Sequence, residues 1–158
     1  MITLNNIRSS VKALILHKNH LLTIEKQSGG NKKYVIPGGG QEFNESLRDA
    51  VARECLEELG VKVQPELIWV REFISKNHIA SQPANDQTYI VEHIFEAVLE
   101  EIPNHLAPIS PDSKQTDVVW LPIDRLSEYN CFPRELIPMI QKKNSGNLGQ
   151  KVYVGDIN

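Results

Sequence analysis

The sequence contains little cysteine: Cys55 and Cys131 are the only two among its 158 residues. Two cysteines cannot form the dense disulfide framework on which many small secreted domains depend. We therefore expect both thiols to be reduced and the protein to be cytoplasmic. Cys55 lies within a predicted helix, where it would pack as a small apolar side chain.

Long apolar runs are also missing, whereas a membrane-spanning helix needs about 20 consecutive apolar residues. The first ten residues, MITLNNIRSS, lack the charged and then apolar pattern of a secretory signal peptide. The sequence contains no internal repeat and no low-complexity segment. We therefore expect no association with a membrane and no repetitive architecture.

Positive charge is not in excess, because 17 Lys and Arg residues are outnumbered by 20 Asp and Glu residues, for a net charge of −3. Proteins that bind polymeric nucleic acid usually carry a basic surface, so this balance argues against such a partner. A free nucleotide remains compatible with it, because a metal ion can offset phosphate charge. With 41% apolar and 23% charged residues, the chain has the composition of one globular domain.

A helix is predicted from Ser46 to Leu59. The Ser46 hydroxyl can accept a free backbone N–H of the first turn, and Asp49 places a negative charge near the positive end of the helix dipole. No glycine or proline interrupts the run. Gly60 follows the last helical residue and supplies the left-handed conformation that commonly ends a helix.

Three glutamates share one face of this predicted helix. Glu54, Glu57 and Glu58 have the spacing that brings side chains together, and like charges at this spacing weaken a helix. A hard cation such as Mg²⁺ or Mn²⁺ would offset the repulsion, whereas a solvated surface is the ordinary alternative. A glycine-rich loop, Gly38–Gly40, is predicted to lead into the helix and to let backbone approach a ligand closely. Together these features predict a metal-assisted reaction at phosphorus.

The spacing of these residues resembles the signature of the Nudix (MutT-type) hydrolases. We call the 23 residues from Gly39 to Val61 the box. The box matches the signature at its charged and glycine positions: Gly39, Glu45, Arg53, Glu54, Glu57, Glu58 and Gly60. Two positions depart from it, because Cys55 replaces an aliphatic residue and Asn44 replaces a frequent glycine. Asn tolerates positive φ, so the turn should survive.

The resemblance implies a site for a divalent metal ion, Mg²⁺ or Mn²⁺. By this resemblance, Glu57 and Glu58 are the leading metal ligands, with the Gly38 carbonyl beside them. Glu54 is either a third ligand or the catalytic base that takes a proton from the attacking water.

The resemblance also gives Arg53 a role beside the catalytic carboxylates. In the family this arginine pairs with the first glutamate of the box, here Glu45, and a bidentate arginine–carboxylate pair orients both groups. The alternative is an ordinary surface ion pair, which contributes little stability.

Additional acids outside the box are further candidates. Many family members use one more acid, and Glu92 and Glu96 lie four residues apart on one face of a predicted strand. Solvated residues are an equally good interpretation of these two positions. Asp112 and Asp117 are weaker candidates.

Histidine and aromatic side chains are candidates for contacts to a nucleotide. His78 and His93 could contact a phosphate or a base, although a lone histidine is more often structural or exposed. Five aromatic residues could stack on a base but are more often core residues at strand spacing: Trp69, Phe73, Tyr89, Phe95 and Trp120.

The segments around the box predict strands on both sides of the helix, as in an α+β domain. The resemblance implies a single Nudix domain over residues 1–142, built as an α/β/α sandwich with a mixed β-sheet. A hairpin is predicted from Ser10 to Ile24 around a turn at residues 18–20. A second helix is predicted from Pro133 to Lys142, with Pro138 kinking or shortening it. The tail, residues 143–158, is expected to add an edge strand or to dock on the domain. Further strands are predicted at Lys33–Ile36, Glu66–Ser75, Thr88–Leu99 and Val118–Leu121.

The resemblance implies a pyrophosphohydrolase that cleaves a nucleoside diphosphate linked to another moiety, by attack of water on phosphorus. The substrate would be a nucleoside triphosphate or a nucleotide conjugate. The alternative is a Nudix-fold nucleotide-binding or sensor module without catalysis, but such modules have usually lost box carboxylates, and all three are present here. Homodimers are common in the family, so a second copy of the chain is a candidate partner, although no interface is readable in the sequence.

Overall fold

Ten β-strands and two α-helices build the part of the chain that the structure, a computed structural model, describes: residues 6–74, 89–146 and 151–157. The helices are α1 (Leu47–Leu59) and α2 (Ile137–Asn144). In chain order the strands are β1 (Ile7–Leu14), β2 (Leu16–His17), β3 (His20–Ser28), β4 (Asn31–Val35), β5 (Gly38–Gly40), β6 (Val63–Ile74), β7 (Tyr89–Leu99), β8 (Gln115–Pro122), β9 (Cys131–Phe132) and β10 (Tyr153–Asp156). No helix in these described ranges is long and apolar enough to cross a membrane.

The strands form two mixed sheets. The first sheet has the order β10-β6-β7-β1-β5, with β1 parallel to β7 and β6 antiparallel to β7. The second has the order β2-β3-β4-β9, with β8 added antiparallel to β3 and with β9 parallel to β4. The predicted α+β sandwich with mixed strand directions is confirmed, although the strands divide between two sheets.

The prediction of one hairpin from Ser10 to Ile24 is wrong, because the chain changes sheets inside this segment. β1 pairs with β5 and β7 in the first sheet, whereas β2 pairs with β3 in the second. The turn itself is where the sequence predicts it, since Lys18 and Asn19 have positive φ values of 46° and 60°. Two such residues suit a tight two-residue hairpin. The two apolar runs do not pair along their length because β1 finds its neighbours far along the chain.

Helix α1 begins and ends as the sequence predicts. The Ser46 side chain accepts a hydrogen bond of 3.1 Å from the Asp49 backbone N–H. Gly60 has a φ of 69°, and its N–H donates to the Leu56 carbonyl at 3.0 Å. A Cβ at Gly60 would lie 2.0 Å from the Ala107 carbonyl oxygen. The loop that precedes β8 therefore packs directly on the end of α1.

Each helix covers its own apolar cluster on the sheets. The side chains that α1 contributes to the first cluster are fully buried: Ala50, Val51, Cys55 and Leu59. Helix α2 contributes Ile137 and Ile140 to the second cluster. Cys55 therefore packs as predicted, and burial raises the pKa of its free thiol to about 12.

The second helix starts later than predicted. Residues Arg134–Leu136 form one 3-10 turn, and α2 begins at Ile137. Pro138 therefore lies in the first turn of α2, where its missing N–H removes no helical hydrogen bond. The proline marks the beginning of the helix instead of kinking its interior.

The tail adds a strand at one edge of the first sheet, where β10 runs parallel to β6. The Val70 N–H donates to the Val152 carbonyl at 2.8 Å, and the Ile157 N–H donates to the Glu72 carbonyl at 3.2 Å. Ile157 also packs against the second apolar cluster. Residues 151–157 are therefore part of the folded sheet.

Candidate active site

Strand β5 brings a backbone N–H to the last glutamate of the box. The Gly38 N–H donates a hydrogen bond of 2.8 Å to Oε1 of Glu58, a side chain that is itself buried. Gly38 has a φ of 154°, and a Cβ there would lie 2.0 Å from the Val11 carbonyl oxygen. Only glycine fits this approach of β5 to β1, so the glycine at this position is a requirement of the packing.

Gly39 makes room for a second carboxylate. A Cβ at this position would lie 2.3 Å from Oε1 of Glu54, closer than such atoms approach in folded proteins. The Glu54 side chain is only 13% exposed, because it lies against the backbone of β5. The glycine strand thus holds Glu54 and Glu58 on one short stretch of backbone, away from most of the solvent.

Arg53 connects the helix to the loop that precedes it. Its Nε and Nη2 donate to the two carboxylate oxygens of Glu45 at 3.0 and 2.8 Å. Its Nη2 also donates to the Gly40 carbonyl at 3.0 Å. The bidentate geometry fixes the orientation of both partners. Arg53 therefore holds together three parts of the site: α1, the loop before it and the end of β5.

The Arg53 guanidinium also contacts two more carboxylates. Nη1 of Arg53 lies 3.1 Å from Oε1 of Glu54 and 3.3 Å from Oε2 of Glu57. Nη1 also lies 3.8 Å from Oε1 of Glu42, so this one arginine forms ion pairs with four glutamates of the box when Glu45 is included. Negative charge is in excess within the box, as the spacing of the sequence predicts.

The pKa values of these acids reflect their different surroundings. The hydrogen bonds from Arg53 lower the pKa of Glu45. Burial raises the pKa of Glu54, and the nearby Arg53 charge opposes this rise. Burial also raises the pKa of Glu58 to about 7, with the hydrogen bond from Gly38 acting in the opposite direction. Burial therefore disfavours the ionised forms of Glu54 and Glu58, and a cation bound beside them would favour those forms.

The chemistry of this donor set fits a hard divalent ion. Carboxylate oxygens are the ligands that Mg²⁺ and Mn²⁺ prefer, and Glu57 is the most accessible donor of the three at 38% exposure. Within the described ranges, no three His, Cys, Asp or Glu side chains are grouped so as to hold a metal ion as they stand. The reason is that Glu54 and Glu57 contact Arg53 while Glu58 contacts Gly38. Metal binding would replace part of these contacts.

A loop that the sequence analysis did not connect with the site closes the end of α1. The Ile109 and Ser110 N–H groups donate to the Glu57 carbonyl at 2.9 and 2.8 Å. The Gln115 side chain donates to the Glu58 carbonyl at 2.9 Å. These bonds satisfy carbonyls that a helix end leaves without partners. The loop thereby fixes the backbone that carries both glutamates.

The arrangement agrees with a comparison of the whole chain with known protein families. A family model described as NUDIX domain matches residues 6–141. The chain belongs to the Nudix family. Its curated relatives include the phosphatase NudJ of Escherichia coli K12, which is 26% identical over 150 residues. The matched segment covers 92% of this chain and 90% of NudJ.

Solved structures show the same fold. A NUDIX hydrolase from Nitrosomonas europaea superposes with a TM-score of 0.68 at 22% identity, covering 90% of this chain and 92% of that one. An ADP-ribose pyrophosphatase from Streptococcus suis superposes with a TM-score of 0.62 at 15% identity, covering 96% and 98%. These structural likenesses establish the fold alone. The family match and the hydrolase relatives confirm the predicted family and the predicted class, a hydrolase of pyrophosphate bonds.

The two extra acids predicted for this Nudix chain each contact another partner. Glu92 is buried and pairs with Arg71, whose Nε lies 2.7 Å from its Oε1. Ser10 also donates to Glu92 at 3.3 Å. Glu96 pairs with Lys143 of α2, with Nζ and Oε2 separated by 2.5 Å. Neither acid contacts a box carboxylate within the described residues. Their part in the reaction stays a prediction.

The aromatic candidates are mostly structural. Trp69 and Phe95 are each 3% exposed and belong to the two apolar clusters. The Tyr89 hydroxyl donates to Glu72 at 2.9 Å. Trp120 is half-buried, and Phe73 is half-buried as well. None of these positions identifies a base-binding site.

The remaining candidates also have local partners. Nδ1 of His93 donates to the Ser10 carbonyl at 3.0 Å. Asp112 pairs with Lys26, whose Nζ lies 2.5 Å from its Oδ2. The Asp117 side chain accepts the Val118 N–H at 2.8 Å. His78 lies outside the described residues.

Proposed function

We propose that this Nudix chain hydrolyses a nucleoside diphosphate linked to another moiety, in a reaction that requires Mg²⁺ or Mn²⁺. The observation that carries the proposal is the surplus of carboxylates in the box, where Arg53 pairs with four glutamates. The carboxylates of Glu54 and Glu58 lie against the glycine strand. Repulsion among the surplus carboxylates raises the free energy of the cation-free site, and a bound cation would relieve this repulsion. Excess charge of this kind is maintained more readily at a functional site than in a purely structural one.

The box residues would divide the work as follows. Glu57 and Glu58, with the Gly38 carbonyl, would hold the ion, because the Gly38 backbone already contacts Glu58 and Glu57 is the most accessible of the three carboxylates. When bound, the ion would polarise a phosphate oxygen and acidify a water molecule. Glu54 would act as a third ligand or accept the proton of the attacking water. Arg53 and Glu45 would position α1 against the loop that precedes it.

We further propose that the substrate is a nucleoside triphosphate or a nucleotide conjugate. The named relatives differ in substrate: one is called a phosphatase and another an ADP-ribose pyrophosphatase. They share this fold at low identity, so the moiety attached to the diphosphate is decided by residues outside the box. The net charge of −3 supports a free nucleotide over a polymeric nucleic acid.

The test is hydrolysis of a panel of nucleoside triphosphates (oxidised ones included), ADP-ribose, nucleotide sugars, dinucleoside polyphosphates and dinucleotide cofactors. Each is incubated with Mg²⁺, with Mn²⁺ and with EDTA. The wild-type chain is compared with Glu57→Gln and with the matched control Glu66→Gln, since Glu66 is exposed on β6 and outside the box.

We expect turnover of at least one panel member that requires the metal, persists in Glu66→Gln and is lost in Glu57→Gln. Turnover that is unaffected by EDTA would contradict the metal requirement. No turnover at all, together with a ligand that raises the melting temperature, would favour the sensor module instead.

A further inference from the structure

A loop that is mostly exposed holds the end of α1 that carries Glu57 and Glu58. The loop spans residues 103–114, and most of its side chains face solvent. A cavity of about 490 Å³ lies between part of this loop and the side chains of Val118 and Trp120 on β8. Because dense apolar packing does not fix the loop here, polar contacts have to hold it against the helix.

Gln115, the first residue of β8, uses both ends of its side-chain amide to join the loop to the helix. Its Nε2 donates to the Glu58 carbonyl at 2.9 Å, and its Oε1 accepts the Asp112 N–H at 3.3 Å. The Gln115 N–H also donates to the Asp112 carbonyl at 2.9 Å. Asp112 is itself joined to β3 through its ion pair with Lys26. One side chain thus connects the sheet, the loop and the last turn of α1.

The carbonyl that Gln115 binds belongs to a residue whose side chain is also held in place. Oε1 of Glu58 accepts the Gly38 N–H at 2.8 Å, and the side chain is buried. The adjacent Glu57 carbonyl accepts two N–H groups of the same loop. Helix ends fray readily, and a change in the orientation of this last turn would move both carboxylates relative to β5. The position of the two carboxylates therefore depends on backbone contacts made by the loop and by Gln115.

We propose that Gln115 is a positioning residue, which raises the affinity of the Glu57 and Glu58 carboxylates for a divalent cation by fixing the last turn of α1. The inference rests on the proposed function, in which these two side chains hold Mg²⁺ or Mn²⁺. Gln115 acts through the helix backbone and does not touch the ion. Removal of a group that orients metal ligands typically weakens metal binding about 10–100-fold.

The ordinary alternative is that the Gln115 bond only satisfies a carbonyl at a helix end and contributes to stability. Gln141 on α2 provides a matched control for this alternative. Its Nε2 donates to the Ile123 carbonyl, also at 2.9 Å, and both glutamines are half-buried. The Gln141 bond joins two segments outside the box. Loss of either bond should therefore reduce stability alike, whereas only loss of the Gln115 bond should weaken metal binding.

The experiment measures Mn²⁺ binding to the substrate-free chain through the electron paramagnetic resonance signal of free Mn²⁺. The wild type is compared with Gln115→Met and Gln141→Met. A third variant, Gln115→Asn, keeps the amide but is too short for both contacts, and it carries the test if Gln115→Met does not fold. We expect both methionine variants to lower the melting temperature by about 2–4 °C. We expect the Gln115 variants to bind Mn²⁺ about tenfold more weakly, and Gln141→Met to bind it within about twofold of the wild type.

The outcomes separate this proposal from the proposed function. Equal Mn²⁺ affinities of the wild type and the folded Gln115 variants would overturn the positioning role. An equal loss of affinity in Gln141→Met, or no Mn²⁺ binding by the wild type, would overturn it as well. Weaker Mn²⁺ binding by the Gln115 variants, in a chain that hydrolyses no panel member, would uphold the positioning role and reject the enzyme. Metal-dependent hydrolysis with an unchanged Mn²⁺ affinity in the Gln115 variants would uphold the enzyme and reject the positioning role.

Discussion

Arg53 and Arg71 both hold carboxylates, but they do so in different surroundings. Arg53 is 23% exposed and contacts four glutamates of the box. Among the described residues, Glu92 is the one acid that pairs with Arg71, and both side chains of this pair are less than 10% exposed. Arg71 also donates to the Ile157 carbonyl at 2.6 Å, so the tail completes its set of partners. In the Arg53 cluster the carboxylates outnumber the arginine, and part of the cluster is exposed to solvent. The Arg71–Glu92 pair has one charge of each sign and is buried.

The comparison indicates that the ratio of carboxylates to cationic side chains separates a cation-binding cluster from a structural ion pair better than the number of acids does. A buried one-to-one pair has its charge neutralised, and removing one partner leaves the other charge stranded. A partly exposed cluster in which carboxylates outnumber cationic side chains can bind a further cation. We therefore expect Glu92 to stabilise the sheet and the box glutamates to take part in the reaction.

The largest effect is expected from Glu57→Gln. The loss of one carboxylate from the unbalanced cluster should lower kcat/KM by at least about 100-fold, the scale of a catalytic acid–base or ligand contribution. The free energy of unfolding should change by only about 0.5 kcal/mol, because the side chain is partly exposed. Steady-state kinetics and urea unfolding measure the two quantities. Retained activity, or a large loss of stability, would contradict the view that the box cluster acts in the reaction and the Arg71–Glu92 pair acts in stability.

The next effect concerns Arg71→Met, which should destabilise the fold by about 3–5 kcal/mol because Glu92 would be left buried and unpaired. The double variant Arg71→Met/Glu92→Leu should recover most of this loss, since no charge then remains unpaired. Urea unfolding of both variants and of the wild type provides the test. The kcat of the folded double variant should match the wild type. A double variant that is stable but inactive would show that Glu92 is the additional catalytic acid.

Arg53→Lys should have an intermediate effect on the reaction. Lysine cannot reproduce the bidentate contact to Glu45 together with the Gly40 contact, so the helix would be less well oriented. We expect metal affinity or kcat/KM to fall roughly 10–100-fold, as for other residues that support metal ligands. Arg48→Lys is the control, because Arg48 makes one exposed hydrogen bond to the Pro65 carbonyl. Equal activities of the two variants would indicate that Arg53 forms only an ordinary surface ion pair and does not position the helix.

The smallest effect is expected from Lys143→Gln. The Lys143–Glu96 pair is one-to-one like the Arg71 pair but more exposed, with side-chain exposures of 17% and 35%. Its loss should cost less than about 1 kcal/mol, and this cost should shrink at high salt. Urea unfolding at two salt concentrations measures it. A change in kcat would instead support the prediction that Glu96 takes part in the reaction.

Local features of the site were predictable from the sequence. Ser46 and Gly60 bound the helix through backbone chemistry that involves only nearby residues. The predicted glycine loop is instead the short strand β5, which pairs with β1. The glutamate spacing is local, and the pairing of Arg53 with Glu45 spans only eight residues. The resemblance to a known signature rests on these same local features.

The features that escaped prediction depend on register between distant strands. Arg71 and Glu92 lie opposite each other on β6 and β7, and nothing local in either segment indicates this pairing. Lys26 and Lys33 likewise lie opposite each other on β3 and β4. The division of the predicted Ser10–Ile24 hairpin has the same cause, because β1 is defined by its pairing with β7.

The position of β1 has a consequence for the order in which the protein can be assembled during synthesis. β1 lies between β5 and β7 in its sheet, yet it precedes both of them along the chain. β5 follows it closely, whereas β7 is complete only at Leu99, a further 59 residues after Gly40. At about 5–20 residues per second, a ribosome needs roughly 3–12 s to make that interval. Until β7 has been made, one edge of β1 in the growing chain has no strand paired with it, and an unpaired strand edge can pair with another chain and aggregate. A chaperone would protect this edge during that interval.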